Sequence, residues 1–161
     1  MLTLKAAVVG LLASAGISGT VNPDQFYCLT EAVYFESRGE PEVGKRAVAH
    51  NVLNRTKSGE FPDTVCGVVK QRLPGARTHQ YSYRDDLPRR VDLSDPSTKE
   101  ELAESAKVAY KALAGKSKDP TNGALYFYST RAVKRKPHWA RGMKMTVAIN
   151  DHKFYKPKPS R

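Results

Sequence analysis

Two glutamates four residues apart, Glu36 and Glu40, flank Arg38 in the stretch Ala32-Val33-Tyr34-Phe35-Glu36-Ser37-Arg38-Gly39-Glu40-Pro41. A pair of carboxyl groups is the equipment of glycoside cleavage, one acting as acid and the other as nucleophile or base. The spacing alone says little, because E-x-x-x-E is common on exposed helices. The neighbours say more. At helical spacing Phe26, Leu29, Val33 and Glu36 share one face, so Glu36 points where the apolar stripe points. A carboxyl group there costs free energy when ionised, which raises its pKa. The negative C-terminal end of the helix dipole pushes the same way. Together these make a general acid for neutral pH. Gly39 and Pro41 take Glu40 off the helix, and Glu31 projects away from the stripe toward solvent.

Other chemistries find no support. There is no H-E-x-x-H, no G-x-S-x-G and no phosphate-binding loop. His50, His79, His138 and His152 form no zinc-like spacing with Cys28 and Cys66. No metal and no cofactor is expected.

The elements that must position the glutamates follow from caps and breakers. Asn22-Pro23 starts a helix that should run to about Ser37 and stop at Gly39. A second is expected from about Pro41 to Lys57, and a short one over Thr64 to Gln71 that returns Cys66 toward Cys28. Ser97-Thr98-Lys99-Glu100 reads as a capping box for a helix to Ala114. Ala124 to Tyr128 has strand propensity, and Met143–Ile149 with His152–Tyr155 reads as a hairpin around Asn150-Asp151. Between the helices, Arg72 to Pro96 shows no helical period and centres on Thr78-His79-Gln80-Tyr81-Ser82-Tyr83. Such a stretch is either a binding loop suited to sugar rings or a surface loop.

Composition narrows the setting. At 161 residues the chain fits one domain with a real core. Lys and Arg number 27 against 16 Asp and Glu, a net charge of +11, which implies an anionic partner such as wall polymer, membrane or nucleic acid. From Arg131 to Arg161 the only acid is Asp151, so the charge gathers near the C-terminus. Residues 1–20 carry a single charge, Lys5, before an Ala/Gly/Leu/Val-rich run ending in Ala13-Ser14-Ala15. This fits an export signal or an uncleaved signal anchor, with a buried core helix as the alternative. Export favours a disulfide between Cys28 and Cys66 over buried free thiols, and argues against a cysteine nucleophile and a nucleic-acid role. The division expected is 1–20 export segment, 21–156 catalytic domain and 157–161 basic tail.

The block from Cys28 to Pro41, then Gly44-Lys45-Arg46-Ala47-Val48-Ala49-His50-Asn51-Val52-Leu53-Asn54-Arg55, resembles the SleB-type cell-wall hydrolases, a family that includes spore cortex-lytic enzymes and phage endolysins. The likeness continues through Phe61–Val69, Gln80–Tyr83, Gly123–Tyr128 and His152–Tyr155. Ser37 stands where relatives usually have Ala, Lys45 where they have Gln, Tyr81 and Tyr83 where Phe and Trp are common, and Asn150-Asp151 replaces Gly-Asn. The resemblance implies a helix-dominated, lysozyme-like α+β domain with a small antiparallel sheet, acting on peptidoglycan glycan strands as a lytic transglycosylase. On that resemblance Glu36 would be the catalytic residue and Arg38 and Glu40 its supports. Gln80, Tyr81, Ser82, Tyr83 and Tyr126, and by residue type the lone tryptophan Trp139, are expected to bind substrate. A hydrolytic muramidase and a non-catalytic wall-binding module are the rival readings. A monomeric phage endolysin is expected, reaching the periplasm and wall with transient inner-membrane contact through residues 1–20.

Overall fold

Asn22 opens the helix that carries Glu36. Its side chain accepts from the backbone N–H groups of Asp24 and Gln25, both at 3.0 Å, and Pro23 occupies the first helical position. The computed structural model describes residues 2–86 and 91–160. It contains α1 (Leu4–Ser14), α2 (Pro23–Ser37), α3 (Glu42–Lys57), α4 (Val65–Lys70), α5 (Pro96–Leu113), β1 (Tyr126–Ser129), α6 (His138–Arg141), β2 (Lys144–Ile149) and β3 (His152–Lys156). The fold is helix-rich α+β with one small antiparallel sheet, in strand order β1-β3-β2.

Helix α2 is the central element, packed against α3, α4 and α5. Leu29, Ala32 and Val33 of α2, Val48 and Val52 of α3, Val68 of α4 and Ala109 of α5 are fully buried in one core. Burial of each such side chain contributes roughly 1.5–3 kcal/mol for the larger ones. Cys28 and Cys66 form a disulfide that ties α2 to α4.

Helix α1 packs on this core too. The sequence sets residues 1–20 apart from the fold, yet Val8 and Leu12 are buried in the main cluster and Leu11 lies against it. The apolar residues of this short helix find partners on α2 and α5, including Phe26 and Ala106, which lie beside Leu12. Among the described residues no helix is long and apolar enough to cross a membrane.

Three local expectations need correction. Helix α5 is capped by Asp95, which accepts from the Thr98 N–H at 2.8 Å, and not by Ser97. Pro96 lacks an N–H and has a φ suited to the first helical turn, so the helix begins one residue before Ser97. Strand β1 starts at Tyr126 because the Ala124 carbonyl is taken by Asn51 and Asn54 of α3. Helix α6 was not anticipated. The stretch Arg72–Pro96 contains an isolated bridge between Arg72 and His79 and a 3-10 turn over Ser82–Asp86, while its residues 87–90 lie outside those described. The β2–β3 turn places Asn150 at φ 49°, a left-handed conformation Asn tolerates, so the Asn150-Asp151 pair closes the hairpin without a glycine.

Candidate active site

The end of α2, the Gln80–Ser82 segment, β1 and the start of β3 enclose a cleft of about 510 Å³. Glu36, Arg38, Glu40, Gln80, Tyr81 and Ser82 all line it. Phe26, Leu29 and Val33, the stripe below Glu36, are buried, and Glu36 itself is half-buried where that stripe meets the cleft. Among the described residues no hydrogen bond or ion pair reaches its carboxyl group. Burial pushes the Glu36 carboxyl up to about 7, against a smaller opposing pull from Arg55. Near neutrality it is therefore divided between acid and carboxylate, the state a proton-transfer catalyst needs.

Arg55 is the cation that opposes burial. It comes from the last turn of α3 and is itself buried. Its Nε donates to the Leu125 carbonyl at 2.7 Å, and its guanidinium lies 4.8 Å from the Phe61 ring centroid and 5.4 Å from that of Tyr81. Hydrogen bonds and ring faces stand in for a partner carboxylate. The charge thus remains available to the cleft.

Glu40 is fixed from several directions. Its N–H donates to the Ser37 carbonyl at 3.0 Å, and its own carbonyl accepts from Lys45 Nζ at 2.8 Å. Lys45 is buried and also pairs with Glu101 of α5 at 3.0 Å, so the loop after α2 is tied to α5. The Glu40 side chain lies against Gly44, where a Cβ would sit 2.9 Å from Oε2. On the cleft wall His152 Nδ1 stands 3.7 Å from Glu40 Oε1. Burial holds the His152 imidazolium down, with Glu40 opposing. Both His152 Nδ1 and Glu40 Oε2 are buried without a hydrogen-bond partner.

Glu31 overturns the expectation of a solvent-facing residue. It is 2% exposed and receives Arg84 Nη1 at 2.5 Å, the Tyr27 hydroxyl at 2.5 Å and the Tyr83 hydroxyl at 3.2 Å. The 3-10 turn folds over this face of α2, an event helical projection cannot register. Glu31 thereby anchors the segment that supplies Gln80, Tyr81 and Ser82.

The remaining expected substrate residues lie elsewhere. Tyr83 is buried beside Phe35 and does not line the cleft. Tyr126 and Trp139 pack together outside it, their centroids 5.8 Å apart. Conversely, Arg55, Tyr128, Asp151 and His152 line the cleft without having been singled out. Arg55, Tyr128 and His152 lie within the family-like blocks, which is the only signal the sequence holds for them. No group of three or more His, Cys, Asp or Glu able to hold a metal occurs among the described residues.

The chain is similar to known proteins. The profile of a family described as Cell Wall Hydrolase matches residues 39–155, beginning three residues after Glu36. The spore cortex-lytic enzyme of Bacillus cereus is 37% identical over 113 residues, covering 70% of this chain and 38% of that protein. That of Halalkalibacterium halodurans is 34% identical over 116 residues, 70% of this chain and 29% of that protein. The chain thus spans only about a third of the length of these relatives. Among solved structures, the catalytic domain of the germination-specific lytic transglycosylase SleB from Bacillus anthracis superposes with a TM-score of 0.62 at 30% identity, covering 86% of this chain and 98% of that one. The catalytic domain of Bacillus cereus SleB gives 0.58 at 27% identity, over 84% and 92%.

Proposed function

The chain belongs to the cell wall hydrolase family, and from that premise we propose that it cleaves the glycan strands of peptidoglycan as a lytic transglycosylase with Glu36 as its acid and base. The observation that carries this reading is the Glu36 carboxyl group, set where the buried stripe Phe26–Leu29–Val33 meets the cleft, bonded to no other side chain among the described residues and poised near neutrality.

Protonated Glu36 gives its proton to the glycosidic oxygen between N-acetylmuramic acid and N-acetylglucosamine as the C1–O bond breaks. The muramyl 6-hydroxyl oxygen closes on C1, and its proton passes to the Glu36 carboxylate. The product is a 1,6-anhydro ring, and Glu36 ends in its starting state. Because the substrate carries its own nucleophile, one carboxyl group suffices, unlike the two-carboxylate glycosidases. Arg55 steadies the carboxylate between the two transfers. Arg38 and Glu40 support the site, and Gln80, Tyr81 and Ser82 hold the sugar.

A muramidase is the second reading. It is favoured by Glu40, a second carboxylate on the same cleft wall that could activate water. In the biological role proposed, the chain is exported to the periplasm and wall and serves phage-driven lysis as a monomer. Residues 1–20 act there as an export or signal-anchor segment and contact the inner membrane transiently. N-terminal sequencing of exported protein tests that segment, since a start after Ala15 rules out an uncleaved anchor.

The activity is tested by release of soluble fragments from purified sacculi. Wild type releases them and Glu36→Gln does not. A wild type that releases nothing would sink the enzymatic reading and leave a wall-binding module.

A further inference from the structure

Trp139 is 38% exposed although three tyrosines hold its ring. Its centroid lies 5.6 Å from Tyr155, 5.8 Å from Tyr126 and 6.0 Å from Tyr128. An indole fixed on three sides loses little freedom when a ligand covers its open face. Tyr128 also lines the cleft, so the platform and the cleft adjoin through one residue.

The run of chain that carries the platform is one-sided in charge. From Tyr126 to Ile149 there are six Lys or Arg and no Asp or Glu. Arg131 pairs with Asp151. Lys134, Arg135, Lys136, Arg141 and Lys144 are exposed, and among the described residues none of them pairs with a carboxylate. Lys136 Nζ lies over the Tyr155 ring, 5.5 Å from its centroid. A solvated basic face needs no aromatic at its centre. A rigid exposed indole, in a run of chain whose exposed cations, Arg131 apart, pair with no carboxylate among the described residues and one of which lies over a platform ring, fits a ligand with both a sugar face and carboxylates.

We propose that the Trp139 platform with Lys134, Arg135 and Lys136 is a second binding surface, which holds the glycan strand outside the cleft by stacking on a sugar ring and pairing with the carboxylates of its stem peptides. The inference rests on the reading of the chain as a peptidoglycan-cleaving enzyme and names the part of the substrate that reading leaves open. Stacking supplies an apolar contact, and the cations supply a salt-sensitive attraction for the acidic stems. The surface raises affinity for wall polymer by adding a second contact to the one in the cleft.

Cosedimentation with purified sacculi tests this, with Glu36→Gln as the parent so that the wall is not consumed. Sacculi are used intact and after an amidase has removed the stem peptides. The triple variant Lys134→Glu, Arg135→Glu, Lys136→Glu should bind intact sacculi at least tenfold more weakly than the parent, and stripped sacculi nearly as well. Trp139→Ala should lose affinity for both. Placed in the active chain, the triple variant should turn over a short peptide-free glycan within twofold of wild type. Unchanged sacculus binding by the triple variant would overturn the proposal, whatever Trp139→Ala does to folding. So would an equal loss on the short glycan, or duplex DNA binding through these residues more tightly than sacculi do. If wild type binds sacculi through this surface but releases nothing, the surface stands and the proposed activity falls.

Discussion

Tyr83 lies stacked on Phe35, ring centroids 4.7 Å apart and planes 16° from parallel, against the residue that precedes Glu36. The loop that walls the cleft is therefore locked to the helix that carries the acid. One turn and a residue earlier on α2, Glu31 receives Arg84 and the Tyr83 hydroxyl. Burial of Glu36, which raises its pKa, depends on this lid staying in place.

The pH profile should follow Glu36. The acid form starts the reaction, so activity falls as pH rises through about 7. Arg55→Met removes the opposing charge and should move that alkaline limb to higher pH. Stability carries the same signature. The folded state keeps the Glu36 proton between the ordinary carboxyl value of 4.5 and about 7, where the unfolded chain has lost it. This contribution is present below pH 4.5 and is lost as pH rises through 7. Glu36→Gln should therefore stabilise the protein at pH 8 by on the order of 2 kcal/mol and have little effect at pH 4. Thermal melts at the two pH values check this.

Glu31→Gln should cost about 3 kcal/mol, because it leaves Arg84 without its buried counter-charge. The same change loosens the Gln80–Ser82 wall. On sacculi, KM should rise several-fold while kcat changes less. A melt and a rate measurement on one preparation separate the two effects.

Gly44→Ala sets helix propensity against space. In an open helix the change would gain up to about 1 kcal/mol. Here the new Cβ would come within 2.9 Å of Glu40 Oε2 and 3.0 Å of Asn150 Nδ2. Displacing the Glu40 carboxylate from His152 should cut activity about tenfold with no gain in melting temperature. Rates and melts of the variant read both quantities.

Reduction should expose the contribution of the disulfide. Cys28 and Cys66 are 38 residues apart, and closing a loop of that length contributes about 4 kcal/mol by chain entropy. Dithiothreitol, or Cys28→Ser with Cys66→Ser, should lower the melting temperature by roughly 8–16 degrees. Mass measurement after alkylation confirms the state of the thiols.

What could be read from sequence was what lies along one element. Asn22-Pro23, the stripe Phe26–Leu29–Val33–Glu36, Gly39 as breaker and the β2–β3 hairpin are local signals, and the structure has each of them. What could not be read depended on a partner distant in sequence. Glu31 projects off the apolar stripe, and only the return of Arg84 53 positions later makes that side an interior. His152 and Arg55 reach the cleft from a strand and a helix whose own patterns carry no such direction. Trp139 was grouped with the cleft by residue type alone, and the packing of Tyr126, Tyr128 and Tyr155 puts it on an adjoining face.

The most direct test of Glu36 as a single acid and base is mass spectrometry of the muropeptides released from sacculi. The account predicts 1,6-anhydro-muramyl ends from wild type, none from Glu36→Gln, and the same ends at reduced rate from Glu40→Gln. Reducing muramyl ends from wild type that vanish in Glu40→Gln would contradict it, and would make Glu40 the base of a hydrolytic enzyme.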